Sequence, residues 1–233
     1  MMNSTELDLA RYVSREPLPL AAVVLTGQYV RLEPLTRGHH AALCAVGLDE
    51  ELWRWNPLSV KTAEDMEAYV DAALQEQAEG KSLPFVTALK ESGQIVGGTR
   101  FGNIDRQNRR VEIGWTWIGR PWQRTAVNTE AKYLMLAHAF EKLGCLRVEF
   151  KTDFLNERSR RAILRLGAKE EGVFRNHMIT MAGRVRHSVY YSITDTEWPA
   201  IKAALQQKLE DVAPKTETLR GAAPSRQRAD QAV

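Results

Sequence analysis

The chain has 233 residues, 44% of them hydrophobic and 26% charged, and 32 Lys and Arg against 29 Asp and Glu leave a net charge of +3. This balance excludes a disordered or fibrous chain and supports a packed core. A dedicated nucleic-acid binder would need its basic residues gathered on one surface, and here they cluster only locally, so nucleic acid is not an expected partner.

The first 22 residues mix acidic, basic and proline positions without periodicity. They read as an arm that packs on the body or on a second subunit, which leaves a homodimer open. The apolar run from Pro17 to Leu25 is short, has no basic leader and is broken by prolines, so neither a signal peptide nor a membrane span is expected and a cytoplasmic protein is. One domain is expected over 23–210, and a disordered tail over 211–233 from its Ala, Pro, Thr, Arg and Gln content.

Within that domain, alternation predicts a strand over Tyr29 to Glu33, followed by a helix over Gly38 to Val46. Thr62 to Ala78 reads as a helix, with Thr62 and Asp65 in capping-box positions and an end before Gly80. Phe85 to Leu89, Ile95 to Phe101 and Val111 to Ile118 read as strands of an antiparallel meander, with turn signals at Ser92-Gly93 and Asn108. Ala131 to Leu143 has helical spacing and a stop at Gly144. Leu146 to Lys151 is a strand, Asn156 caps a helix that ends at Gly167, Lys169 to Arg175 and His187 to Ile193 are strands, and Thr196 to Leu209 is a closing helix. This is mixed α/β, distinct from a doubly wound nucleotide fold because several antiparallel strands precede the one strand-loop-helix unit. Cys44 and Cys145 have neither CxxC spacing nor a neighbouring histidine pattern, so no disulfide framework and no metal site is expected.

The strand-loop-helix unit is the informative stretch. A strand ending at Ile118 runs through a polar loop into a helix that starts near Thr125 to Asn128. Such a start offers unpaired N–H groups and the positive end of a dipole, which suit a phosphate. Gln123, Arg124, Thr125, Ala126, Val127 and Asn128 resemble the signature of the GNAT superfamily, Gln/Arg-x-x-Gly-x-Gly/Ala after a strand that contacts the pantetheine arm, with Ala126 and Asn128 at the small positions. Asn128 brings bulk there, so its side chain either turns away or hydrogen-bonds the phosphates. The runs Glu112 to Ile118, Trp122 to Ala126 and Asn128 to Lys132, then Asp153, Asn156, Ser159, Leu166-Gly167-Ala168, Glu171-Gly172 and Arg175-Asn176-His177, have the order and spacing of the branch that contains the ribosomal-protein N-terminal acetyltransferases. The resemblance covers roughly Gly27 to Leu209.

It implies an α+β GNAT fold, a mixed and mostly antiparallel central sheet flanked by helices. It also implies direct transfer of acetyl from acetyl-CoA, with no metal, to an amine on a protein N-terminus, a lysine or a small molecule. Glu112 is the expected base, or else a carboxylate paired with Arg100 or Arg110 across the sheet. By the resemblance Asn156 bonds the pantetheine amides and Ser159 donates to the departing sulfur; an N-cap and a first-turn residue are the plainer readings. A backbone N–H at Trp117 or Ile118 polarises the carbonyl. Arg158, Arg160, Arg161 and Arg165 include a candidate for the 3′-phosphate, although a solvated helix face suits most of them. Trp53, Trp55, Phe101, Trp115 and Trp117 are candidate walls of the acceptor pocket, with His177 and Tyr190 nearby, and aromatics at alternating strand positions also read as core. Two competing readings are a non-catalytic acyl-CoA sensor and an RNA- or ribosome-associated protein using Arg106, Arg109, Arg110 and the tail.

Overall fold

The computed structural model describes residues 13 and 16–211. Most of the expected arm and all but the first residue of the expected tail lie outside the described residues. Where the arm is described it packs on the body: Leu18 is fully buried in the core, its N–H donates to the Arg106 carbonyl at 3.2 Å, and Arg106 Nε returns a bond to the Leu18 carbonyl at 3.0 Å.

Eight strands, β1 (Leu25–Thr26), β2 (Val30–Pro34), β3 (Leu83–Leu89), β4 (Ile95–Asp105), β5 (Arg110–Ile118), β6 (Arg147–Asp153), β7 (Lys169–Ile179) and β8 (Val185–Thr194), form one sheet in the order β1-β2-β3-β4-β5-β6-β8-β7. Every neighbouring pair is antiparallel except β5 and β6. The helices are α1 (His40–Gly47), α2 (Glu50–Trp53), α3 (Ala63–Ala78), α4 (Ala126–Ala137), α5 (Glu157–Arg165) and α6 (Trp198–Glu210). The expected meander is β3-β4-β5, and the expected capping box is formed: Asp65 N donates to Thr62 Oγ1 at 3.2 Å while Thr62 N donates to Asp65 Oδ2 at 3.1 Å. The alternation rules missed β1, which is two residues long, and α2, a single turn. Helix α4 starts at Ala126, inside the Thr125 to Asn128 start read from the loop and five residues before the helical apolar spacing at Ala131, because Thr125 caps it through its Oγ1, which accepts the Val127 N–H at 3.3 Å. Its last turn, His138–Leu143, is π-helical and stops at Gly144, whose φ of 69° is a left-handed conformation that glycine adopts at little cost.

One face of the sheet packs on α4 and α6, burying Val111, Ile113, Val148, Phe150, Val189 and Tyr191 against Val127, Met135, Leu136 and Leu205. The other face is covered over β2 to β5 by α1 and α3, through Leu43, Met66, Val70, Val86 and Trp117. A bulge decides which β5 side chains see which face. Gly98 pairs with Trp117 and Arg100 with Gly114, so two steps along β4 match three along β5, and Trp115 takes φ 50° there. Strict alternation would set Thr116 on the face of Glu112. The extra residue instead turns Thr116 toward α4, where its hydroxyl meets Lys132, and leaves Trp115 and Trp117 on the α1–α3 face.

Two buried charges on α4 tie the layers together. The Glu130 carboxylate accepts the N–H groups of Gln28, Tyr29 and Val30, each at 2.7 Å, and so holds the β1–β2 turn. Lys132 Nζ donates to Thr99 Oγ1 at 2.9 Å and to Thr116 Oγ1 at 2.5 Å. Complete burial lowers its pKa from 10.5 to about 7.

Candidate active site

Strands β5 and β6 pair only from Arg110–Arg147 to Glu112–Glu149. Beyond that point β5 stays with β4 as far as Gly97–Ile118, while β6 stays with β8 as far as Asp153–Ser188. The two parallel strands therefore part, and a gap opens between their C-terminal ends. The Gly119 N–H donates to the Val96 carbonyl at 2.8 Å. Because N–H directions alternate along an antiparallel ladder, the Ile118 amide faces the gap and the Trp117 amide faces Gly98. Of the two amides expected for carbonyl polarisation, Ile118 has the required direction and Trp117 is spent on the sheet.

The mouth of the gap is the start of α4. After a 3-10 turn at Arg120–Trp122, Arg124 adopts φ 63°, and the chain enters the helix with Thr125 as cap. The first-turn amides that follow lack intrahelical acceptors by construction. Ala126 and Val127 turn their side chains into the core. Asn128 Oδ1 is buried with no hydrogen-bond partner, an orphaned polar atom at the second small position of the expected signature. Gln123 is not free to reach a phosphate with its side chain: Nε2 donates to the Ile118 carbonyl at 2.7 Å and Oε1 accepts from Arg158 Nη2 at 2.5 Å. It clamps the loop to the start of α5. Arg158 is exposed and tied to this clamp, while Arg161 pairs with Glu157 and Arg160 with Tyr191 and Glu170.

Helix α5 begins on the far side of the gap. Asn156 Oδ1 accepts the Ser159 N–H at 3.0 Å, so Asn156 is an N-cap whose Nδ2 remains available. Ser159 is half-buried in that first turn.

Glu112, Lys151 and Asp153 share the face opposite α4, as the pairing of β5 with β6 requires. The Glu112 carboxylate is buried; its Oε2 takes Asn103 Nδ2 at 2.7 Å and Lys151 Nζ at 3.2 Å. The partner expected from the sequence was Arg100 or Arg110. Arg100 lies instead against Glu76, Tyr69 and Trp115, and Arg110 against Asp105 and Glu149. A cavity of about 950 Å³ opens beside Glu112 and is lined by Asn103, Arg110, Glu149, Phe174 and Tyr190 among others.

Beyond it, Tyr190 stacks on Phe174 at 4.4 Å, and its hydroxyl lies 3.4 Å from His177 Nε2, whose Nδ1 lies 2.9 Å from Ser188 Oγ. Burial, with Lys151 and Arg186 adding their charge, holds the His177 imidazole below the usual range, and burial followed by Glu112 raises the Tyr190 phenol. The β7–β8 hairpin closes this end: Met181 N donates to the Pro57 carbonyl at 3.1 Å, and the Arg184 guanidinium lies 5.6 Å from the Trp55 ring centroid.

Of the expected aromatic walls, Trp55, His177 and Tyr190 come together here. Trp115 is half-buried under Arg100 and covers Gly102, where any Cβ would sit 2.2 Å from its ring. Trp53 and Trp117 pack on each other inside the α1–α3 core, 5.7 Å between ring centroids, and Phe101 is fully buried against Phe85 and His138 on the α4 side. These three are core, since buried strand positions attract aromatics without regard to ligand. Lys151, Arg184 and Arg186 carry no expectation from the sequence and Asp153 has no role there; alternation sets Lys151 and Asp153 on one face of β6, and only the β5–β6 register puts that face with Glu112. The basic residues considered for RNA are engaged internally: Arg106 on Leu18, Arg109 on Gly144 and Glu16, and Arg110 as above.

Comparison with known proteins agrees with this geometry. Residues 30–169 match the family described as Acetyltransferase (GNAT) domain. The crystal structure of a GCN5-related N-acetyltransferase from Brucella melitensis is 34% identical, covers 83% of this chain and 89% of its own, and superposes with a TM-score of 0.77. YdaF of Bacillus subtilis, provisionally named a ribosomal N-acetyltransferase, is 34% identical over 114 residues, which are 49% of this chain and 61% of that relative, so the match spans under two thirds of its length. Mycobacterium smegmatis RimJ in complex with CoA-disulfide shares the fold at 24% identity, with 77% of this chain and 88% of its own covered and a TM-score of 0.68. With well over half of its residues matched by the family profile and a parted β5–β6 pair facing a helix start, the chain belongs to the GNAT acetyltransferase family.

Proposed function

We propose that the protein is an acetyl-CoA-dependent N-acetyltransferase that moves acetyl directly to a primary amine on a protein N-terminus, a lysine or a small molecule. The observation that carries this is the gap between β5 and β6, which has an unpaired strand amide on one wall, the cap of α5 on the other and the start of α4 at its mouth. Bound acetyl-CoA would supply an activated thioester. The residues present fit it: the main-chain amides around the start of α4, from Arg124 to Asn128 apart from that of Val127, which Thr125 holds, suit a diphosphate, and Asn128, whose buried Oδ1 has no partner among the described residues, can turn its Nδ2 toward the same oxygens. Asn156 Nδ2 and the Ile118 N–H point donors at a ligand lying between the strands.

Glu112 takes a proton from the bound ammonium, directly or through a water, using Oε1, since Lys151 and Asn103 occupy Oε2, and the amine so freed attacks the thioester carbonyl. An α-amine, with a pKa of about 7.7 to 8.0, asks less of this base than a lysine near 10.4. The Ile118 amide stabilises negative charge on the carbonyl oxygen, and the Ser159 hydroxyl donates to the departing sulfur; a serine is a poor acid but an adequate hydrogen-bond donor. Thiol release from acetyl-CoA in the presence of an amine panel, with product masses, tests the reading. A gain of 42 mass units on an amine with matching free thiol supports it, and absence of both across α-amines, lysines, polyamines and amino acids contradicts it.

A further inference from the structure

Asp153, Arg184 and Arg186 form a charged group on the sheet face of Glu112 and Lys151 that the roles above do not use. Asp153 is 1% exposed and fully committed: its Oδ1 accepts the Leu155 N–H at 2.9 Å and its Oδ2 is held by Arg184 Nη2. Arg186, whose side chain is 5% exposed, reaches the same Oδ2 only at 3.8 Å and donates through Nε to Ser188 Oγ at 3.2 Å. Among the described residues its two terminal nitrogens carry no hydrogen bond. Pairing the charges makes the surplus explicit. Lys151 offsets Glu112 and Arg184 offsets Asp153, so this group of five charged side chains holds one cation more than its anions, and that cation is the buried guanidinium of Arg186.

The Arg186 guanidinium is held from its Nε side by Ser188 and Asp153, which leaves its two terminal nitrogens as a planar fork that matches an oxyanion in two-point contact. Arg186, Ser188 and Tyr190 alternate along β8 on the face of Lys151 and Asp153, and the Ser188 hydroxyl that takes Arg186 Nε also lies 2.9 Å from His177 Nδ1, which ties Arg186 to the side chains beside Glu112. On the strength of the acetyltransferase reading, we propose that Arg186 is an oxyanion subsite and that the preferred acceptor is an amine carrying a carboxylate or phosphate close to its nitrogen.

The test uses amine pairs of similar basicity that differ in the oxyanion. Three pairs separate the sources: 3-aminopropanoate against propylamine, O-phosphoethanolamine against ethanolamine, and the peptide Ala-Asp-Ala-amide against Ala-Asn-Ala-amide. A fork bonded to a charged partner predicts at least a roughly tenfold higher kcat/KM for the anionic member of one pair or more. In Arg186→Met that preference falls to within about twofold through a raised KM for the anionic amine, with the neutral amine unchanged, and Arg186→Lys is intermediate. Acetylation with no preference in the wild type overturns the subsite while leaving the enzyme reading intact. Equal losses for both members in Arg186→Met, with a lowered melting temperature, assign Arg186 to scaffolding and also overturn it. No thiol release with any amine overturns both readings together.

Discussion

Lys132 offers a test of the packing that needs no knowledge of substrate. Its ammonium is enclosed by α4, β4 and β5 with two threonine hydroxyls and no carboxylate as partners, and burial lowers its pKa from 10.5 to about 7. The unfolded chain would hold the proton up to about pH 10.4. Between these values the unfolded state binds more protons than the folded one, so stability rises with pH across the window of about 7 to 10.4 and is lost as pH falls toward 7. At pH 7 the folded group is half-protonated, and integrating from pH 7 to pH 9 gives about 2 kcal/mol of added stability from this residue alone.

Lys132→Met keeps most of the volume and removes the proton. Urea denaturation of both proteins at pH 7, 8 and 9 isolates the contribution, because all other titrations cancel in the difference, including that of the Cys145 thiol, pushed up to about 12 by burial. The wild type should gain about 2 kcal/mol on the variant between pH 7 and 9. A difference that stays flat with pH would refute the enclosed ammonium held only by hydroxyls, and with it the packing of α4 on the bulge.

Three further outcomes are expected. Glu130→Gln should cost about 2 to 4 kcal/mol in urea denaturation, because a buried acceptor of three N–H bonds is replaced by one that must direct a donor at a donor; a loss under 0.5 kcal/mol, against the rough floor of one net hydrogen bond, would contradict the carboxylate's role. Asn156→Ala should cost about 1 kcal/mol of stability through the lost cap and also weaken acetyl-CoA in calorimetry, whereas Ser159→Ala should lower kcat with acetyl-CoA affinity nearly intact; unchanged kcat in Ser159→Ala removes the serine from the mechanism. Glu112→Gln should lower kcat/KM for lysine-type amines more than for α-amines, since the more basic amine depends more on the base; equal losses would make Glu112 only the counter-ion of Lys151.

How far the sequence carried the account depends on the kind of signal. Thr62, Asn156 and Gly144 mark helix ends through local chemistry, and their elements stand where those residues predict. The loop from Gln123 to Asn128 was legible as a helix start for the same reason. The bulge at Trp115 was not, because a single extra residue in β5 leaves the sequence alternation intact while reversing the face of Thr116 and Trp117. Phe101 and Trp53 stay open between wall and core in the sequence, because an aromatic side chain has the same signature in a pocket as in a core. The Glu112–Lys151 pair and the Asp153–Arg184–Arg186 group depend on the register of β5, β6 and β8, which long-range pairing sets and no local pattern records.

The central claim is that the gap between β5 and β6 seats acetyl-CoA, and a crystal structure of the protein grown with acetyl-CoA tests it most directly. The account predicts the diphosphate on the main-chain amides between Arg124 and Asn128, the pantetheine arm between the two strands with the Ile118 N–H bonded to it, and the thioester facing Glu112. Density for the ligand elsewhere, or Asn128 occupying the mouth with the strands unparted, would contradict it.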